Sequence, residues 1–239
     1  MNDAVEASPQ HPNPQRRELI RWLGWAVLLP LGGCDFNLRT LGKSDIDMVV
    51  DQHIHELRRL IRELCVKLYH RNPRELQNGG RPLEQRLAQL FGDPATYFYT
   101  EIDSKFSNDA LLLAFDDNYA GDRVFAFMVG MKTMLHAAYG LRTELFLLDE
   151  LDPQALFNSA RNLEIINWRL NNLQRSSGEP FLLSNGYQNG VANLSFERLF
   201  GKMIAIQDMM ARVVADKNDR TIVSVVHSVA STTLLPIGL

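Results

Sequence analysis

Between residues 44 and 72 apolar and charged positions alternate with a helical beat. Val50, Ile54, Leu57, Ile61, Leu64 and Leu68 recur at spacings of four and three, Ile46 extends the stripe backward, and Glu56, Arg58, Arg59, Arg62, Glu63 and Lys67 take the opposite face. This spacing predicts an amphipathic helix. Ser44 opens it, Asp45 and Asp47 suit the positive end of its dipole, and Asn72-Pro73 ends it. The stripe is roughly three heptads long, which suits a bundle helix better than a coiled coil. Its outer face, marked by Arg58 and Arg62, is a candidate interaction surface. The stripe serves either a bundle seam or a partner, and the apolar content of the chain favours the inward role.

The same reading predicts a turn over Asn78–Pro82, a short helix over Leu83–Phe91, and an irregular aromatic stretch at Tyr97-Phe98-Tyr99. Asn108 or Asp109 caps a helix from Ala110 to about Tyr119, and Asp122 caps another over Arg123–Tyr139 that Gly140 ends. Phe125, Phe127, Met128, Val129, Met131, Met134 and Leu135 leave that last helix almost no polar face, which predicts burial at the centre of the fold. Ala126 and Gly130, four apart, give it one narrow strip for close helix contact. Asp152-Pro153 starts a helix to about Arg175. Phe181–Leu194 carries Asn185-Gly186 and Asn189-Gly190, which suit a small hairpin or an ordered loop. Ser195 opens a helix to about Lys217, and Asp219 caps a last one over Arg220–Thr233, whose Ile222, Val225, Val226 and Val229 would also suit a strand. The expected fold is all-α: a single-domain irregular bundle of six or seven helices.

Ahead of this domain stand Arg16, Arg17 and Arg21, then an apolar run over Leu23–Leu31, then Gly32, Gly33 and Cys34. Basic, apolar and small residues in that order form an export signal. As a helix the run would be roughly 14 Å long, too short for a bilayer core of about 30 Å. Leu31-Gly32-Gly33-Cys34 resembles the lipobox of bacterial lipoproteins. The resemblance implies that the Cys34 thiol is diacylglycerylated, that the chain is cut before it, and that the new amino group is acylated. Residues 1–33 are then a cleaved signal peptide, 34–43 a tether and 44–239 the helical domain. Arg16-Arg17 resembles the twin-arginine export signal, although Gln15 stands where that signal carries serine or threonine, so general export remains the alternative. Asp35 resembles an inner-membrane retention signal, which favours the inner membrane over the outer. The expected location is the membrane surface facing the periplasm, with a partner in the envelope.

Loss of 33 residues from 239 leaves 206, enough for one domain with a sizeable core. The signal carries three basic and three acidic residues, so the mature chain keeps the net charge of −3. That balance gives no electrostatic footprint for nucleic acid. With Cys34 committed to lipid, Cys65 is the remaining thiol and reads as a small buried hydrophobe.

The chain carries no Gly-x-Ser-x-Gly, His-Glu-x-x-His, P-loop or Gly-x-Gly-x-x-Gly motif. His53 and His55 diverge on a helix. Met128, Met131 and Met134 read as core filling rather than a copper site, and the carboxylates between Glu101 and Asp122 as caps and solvated groups. No catalytic residue, metal site or cofactor is assigned, apart from covalent lipid on Cys34. Three functions follow: an anchored non-catalytic scaffold or interaction protein, an enzyme without a local signature, or a binder of a small apolar ligand. A site for that ligand would be walled by Phe125, Phe127 and Met128, and the aromatics Tyr97, Phe98 and Tyr99 either line a groove or join the core.

Overall fold

The computed structural model describes residues 45–93, 95–141, 151–188, 191–223 and 233–237. Among them the fold is an irregular all-α bundle with one small hairpin. Its elements are α1 (Asp45–Arg71), α2 (Pro73–Asn78), α3 (Leu83–Phe91), a 3-10 turn (Thr100–Ile102), α4 (Ser107–Leu113), α5 (Arg123–Ala138), α6 (Pro153–Asn172), β1 (Gly186–Gln188), β2 (Val191–Asn193) and α7 (Ser195–Lys217). Pro73 cannot continue α1 and instead takes the first position of α2, where its missing N–H is no loss.

Helix α5 is the centre, packing on α1, α2, α3, α4 and α6. The Asp122 carboxylate accepts from the Phe125 amide at its start, as the capping pattern predicts, and Gly140 sits past its end at φ +67°, a conformation that suits glycine. Of its 16 residues only Lys132 and His136 are not buried. Gly130 lets α4 lie against α5: a methyl group there would stand 2.5 Å from Leu111 Cγ and 2.6 Å from the Leu111 backbone nitrogen. The stripe of α1 points inward, with Val50, Leu57, Ile61, Leu64 and Leu68 buried, and Leu60, Cys65 and Tyr69 widening it. Burial and the nearby Asp122 charge push the Cys65 thiol up, so it is an inert core group.

A buried polar knot ties α1, α2 and α3 to the start of α5. Arg86 is 1% exposed. Its Nε donates to Asp122 Oδ2 (3.1 Å), Nη1 to Gln89 Oε1 (2.8 Å) and Glu101 Oε2 (2.6 Å), and Nη2 to the Gly79 carbonyl (3.3 Å). Its plane lies 4.2 Å over the Phe125 ring. Tyr69 Oη donates to the same Asp122 oxygen at 2.9 Å. Burial pushes the Asp122 carboxyl up to about 6, against the pull of the Phe125 amide, Arg86 and Tyr69, so it is ionised at neutral pH. Burial also opposes the Arg86 charge, but Glu101 and Asp122 outweigh it.

Two expected helices differ. The segment expected as Ala110–Tyr119 is Ser107–Leu113. Its first turn is served by Thr133, whose Oγ1 accepts from the Ser107 amide (2.7 Å), while Asn108 uses its side chain on the Leu235 carbonyl (3.0 Å) instead of as a cap. The helix stops early because the Arg123 guanidinium takes the carbonyls that follow: Ala114 at 3.0 Å, Asp116 at 2.7 Å and Tyr119 at 2.6 Å. The helix expected from Arg220 does not start there, since residues 220–223 are irregular. The Val223 amide donates to Gln154 Oε1 (2.9 Å) and Gln154 Nε2 to the Val223 carbonyl (3.3 Å). One and two turns along α6, Asn158 holds the Pro236 carbonyl (2.9 Å) and Asn162 pairs with Leu235 in both directions (2.7 and 2.9 Å). Residues 224–232 lie outside the described residues. The hairpin expected as one of two choices forms, with Tyr187 opposite Ala192. Asn189-Gly190 are outside the described residues, and so is Ser44.

Candidate functional site

The two unburied residues of α5 share one face, four positions apart, and that face looks across a groove at α1. The groove encloses about 510 Å³, within the span of about 300–1,000 Å³ typical of small-molecule sites. Helix α1 supplies Ile54, Leu57, Arg58, Ile61 and Arg62, helix α5 supplies Lys132, Leu135 and His136 with Tyr139 just past its end, and Leu90, Phe91 and Tyr97 close the groove. Leu57, Ile61, Leu90, Leu135 and Tyr139 are at most 4% exposed and make an apolar floor. Both elements place their members by helical spacing: 54, 57, 58, 61, 62 on α1, and 132, 135, 136 on α5 with its C-cap 139.

Lys132 builds the end wall. Its Nζ donates to the Leu90 and Thr96 carbonyls, both at 2.6 Å, lies 3.5 Å from Tyr99 Oη, and sits 4.6 Å over the Tyr97 ring. These bonds hold the end of α3 and the strand-like stretch after it against α5. Burial, with a smaller push from Arg58, lowers the Lys132 ammonium to about 8, so it remains mostly charged at neutral pH. Tyr97 stacks on His136, with ring centroids 3.9 Å apart and planes 4° from parallel. Burial, then the charges of Lys132 and Arg58, lower His136 to about 4, so its imidazole is neutral at pH 7.

The rim is cationic. Arg58 and Arg62 are exposed on the outer face of α1, as the sequence pattern expects. No described carboxylate pairs with either of them. The Arg62 guanidinium lies 5.9 Å from the centroid of the Phe91 ring. Arg59 differs, being matched by Glu56 at 2.6 Å and Glu63 at 3.2 Å. Asp93 is the one carboxylate among the lining residues.

Phe125, Phe127 and Met128 wall no groove; they are fully packed in the core, as are Met131 and Met134. A ligand site among them is therefore ruled out by close packing, and the groove forms instead where α5 turns its only two unburied side chains toward α1. Of the aromatic triplet, Tyr97 lines the groove, Tyr99 packs edge-on against Phe125 at 5.1 Å, and Phe98 stacks on Phe106 near the surface at 5.4 Å. Lys132 was not singled out by the sequence pattern. Its signal was there: one lysine in the middle of a largely apolar helix, in i, i+4 register with His136. Leu31, Gly32, Gly33 and Cys34 lie outside the described residues. No protein-family model, no curated protein and no solved structure matches the chain.

Proposed function

We propose that the protein is a lipid-anchored, non-catalytic binding protein of the cell envelope that holds its ligand in the groove between α1 and α5. The groove is the observation that carries this reading: about 510 Å³ with an apolar floor, between a wall of Lys132 and the stacked Tyr97–His136 pair and a rim of arginines. Lys132 spends its donors on backbone carbonyls and His136 is stacked face-on and neutral, which suits a wall better than acid–base work. The volume favours a small ligand over a partner helix. A helix is about 10 Å across, so 510 Å³ takes in little more than about one of its turns.

Anchoring is supported by Leu31-Gly32-Gly33-Cys34 and its basic, apolar lead-in. Three acyl chains on Cys34 would hold the chain at the membrane where one gives only marginal binding. Asp35 favours the inner membrane, with the domain facing the periplasm. Among the described residues no helix is long and apolar enough to cross a membrane. Cys34→Ser is expected to abolish incorporation of radioactive fatty acid and to release the protein from the membrane fraction or leave it uncut. An unlabelled wild type, or a mature-length mutant still in the membrane, contradicts the anchor.

The binding role is tested with a neutral solvatochromic dye, Nile red, added to the full chain carrying Cys34→Ser. Blue-shifted emission that saturates at one dye per chain, and is lost in Leu135→Glu, is the expected result. Dye binding that Leu135→Glu leaves unchanged removes the groove as the binding site.

A further inference from the structure

We propose that the groove selects a single-chain fatty carboxylate, its head between Arg58 and Arg62 at the rim and its chain along Leu57, Ile61 and Leu135. The proposal rests on the reading of the groove as the ligand site and adds the chemistry of what enters it.

Charge complementarity carries the argument. Arg58, Arg62 and Lys132 bring three cations to the groove, and Asp93 is the one lining carboxylate against them, since Arg59 is matched by its own Glu56 and Glu63. The protons of Lys132 are directed to neutral oxygens, so its charge is bonded without being balanced. Arg58 and Arg62 are four apart on α1 and stand on the same side of it, each free to present a guanidinium fork to a carboxylate. The floor below them is hydrocarbon, with Leu57, Ile61 and Leu135 nearly devoid of solvent contact.

Each half of the site excludes a simpler ligand. A free anion would use the rim and gain nothing from the floor, and a neutral hydrocarbon would use the floor and leave three cations uncompensated. An amphiphile with one negative charge uses both. Asp93, lining the same groove, adds a negative charge that opposes a doubly charged head, which favours a carboxylate over an alkyl phosphate. Burial is the main cause of the lowered Lys132 and His136 values, and the Arg58 charge that adds to it is one that an entering carboxylate offsets.

The test titrates dodecanoate, below its micelle concentration, into the full chain carrying Cys34→Ser, with dodecanol, dodecyltrimethylammonium, dodecyl phosphate and acetate as companions. Dodecanoate is expected to saturate one site. Dodecanol and dodecyltrimethylammonium bind at least about tenfold more weakly, dodecyl phosphate more weakly than dodecanoate, and acetate not measurably. Each CH₂ that enters the groove tightens binding by about threefold to fourfold from octanoate upward. Arg58→Glu with Arg62→Glu is expected to weaken dodecanoate at least about tenfold while the melting temperature stays put, because both side chains are exposed. If that pair lowers the melting temperature, Arg58→Gln with Arg62→Gln takes its place, with a loss of several-fold expected. Dodecanol binding as tightly as dodecanoate, alkyl phosphate binding more tightly, or dodecanoate affinity unchanged in the arginine variants overturns the proposal. Nile red binding without any carboxylate preference removes the proposal and leaves the binding role standing, whereas binding of neither dye nor any dodecyl probe removes both.

Discussion

Arg86→Ala is expected to cost about 3–5 kcal/mol of folding stability, among the largest effects of any single substitution in the chain. The guanidinium is 1% exposed and faces Asp122, whose own side chain is 2% exposed. Removing it leaves a buried carboxyl, with the Tyr69 hydroxyl and the Phe125 amide as its remaining partners, that must either hold its charge unpaired or take up a proton, and strips Glu101 and Gln89 of their shared donor. An unpaired buried charge costs more than the pair contributed, so the loss exceeds that of an exposed ion pair several-fold. Asp122→Asn added to Arg86→Ala should cost less than the two single losses together, because the first change already removes what the second would strand. Denaturant unfolding of the full chain measures both. A loss below about 1 kcal/mol for Arg86→Ala would contradict the knot as a strut of the fold.

Phe127→Ala is expected to cost about 3–5 kcal/mol by a different route. Phe127 is 0% exposed on α5 and meets Phe115 edge-on, with centroids 6.0 Å apart. Truncation removes a ring from a packed centre, and collapse around the gap is resisted because Gly130 already holds Leu111 of α4 at contact distance. The expected value is a large share of the 5–15 kcal/mol total stability typical of a domain. The measurement is again the unfolding free energy, and an unchanged midpoint would remove α5 from the centre of the core.

Much of this fold is legible in the residues because local signals and packing agree. The bounds Leu83–Phe91 and Ser195–Lys217 follow from apolar spacing and punctuation, and Asp122 and Asp152 cap the helices they precede. Local signals fail where a distant side chain competes for the backbone. Arg123 takes three carbonyls beyond Leu113 and so shortens α4, and Gln154 takes both backbone groups of Val223 where a helix was expected to begin. Arg86 was readable in principle. It sits among Leu83, Leu87 and Leu90 on the apolar face of α3, and a charge there must find a partner.

The groove was legible only in part. Arg58 and Arg62 stand out as the charged face of an amphipathic helix, and Tyr97 as an aromatic outside any helical period. Lys132 and His136 do not, because α5 is apolar on every side and gives no face to prefer. Their meaning comes from the packing of α5 against α1, which turns its two unburied residues toward the arginines. That juxtaposition joins residues seventy or more positions apart, so no window of sequence contains it.

The place where a fatty carboxylate sits is the decisive observable. Methyl and aromatic NMR spectra of the full chain carrying Cys34→Ser, recorded during a dodecanoate titration, read this directly. Shifts that saturate together at Leu57, Ile61, Leu135 and the stacked Tyr97–His136 pair, with the Met128 and Phe127 signals unmoved, are the predicted result. Shifts that scatter over exposed apolar residues such as Phe98, Val191 and Leu194, or none at the α1–α5 groove, would contradict it.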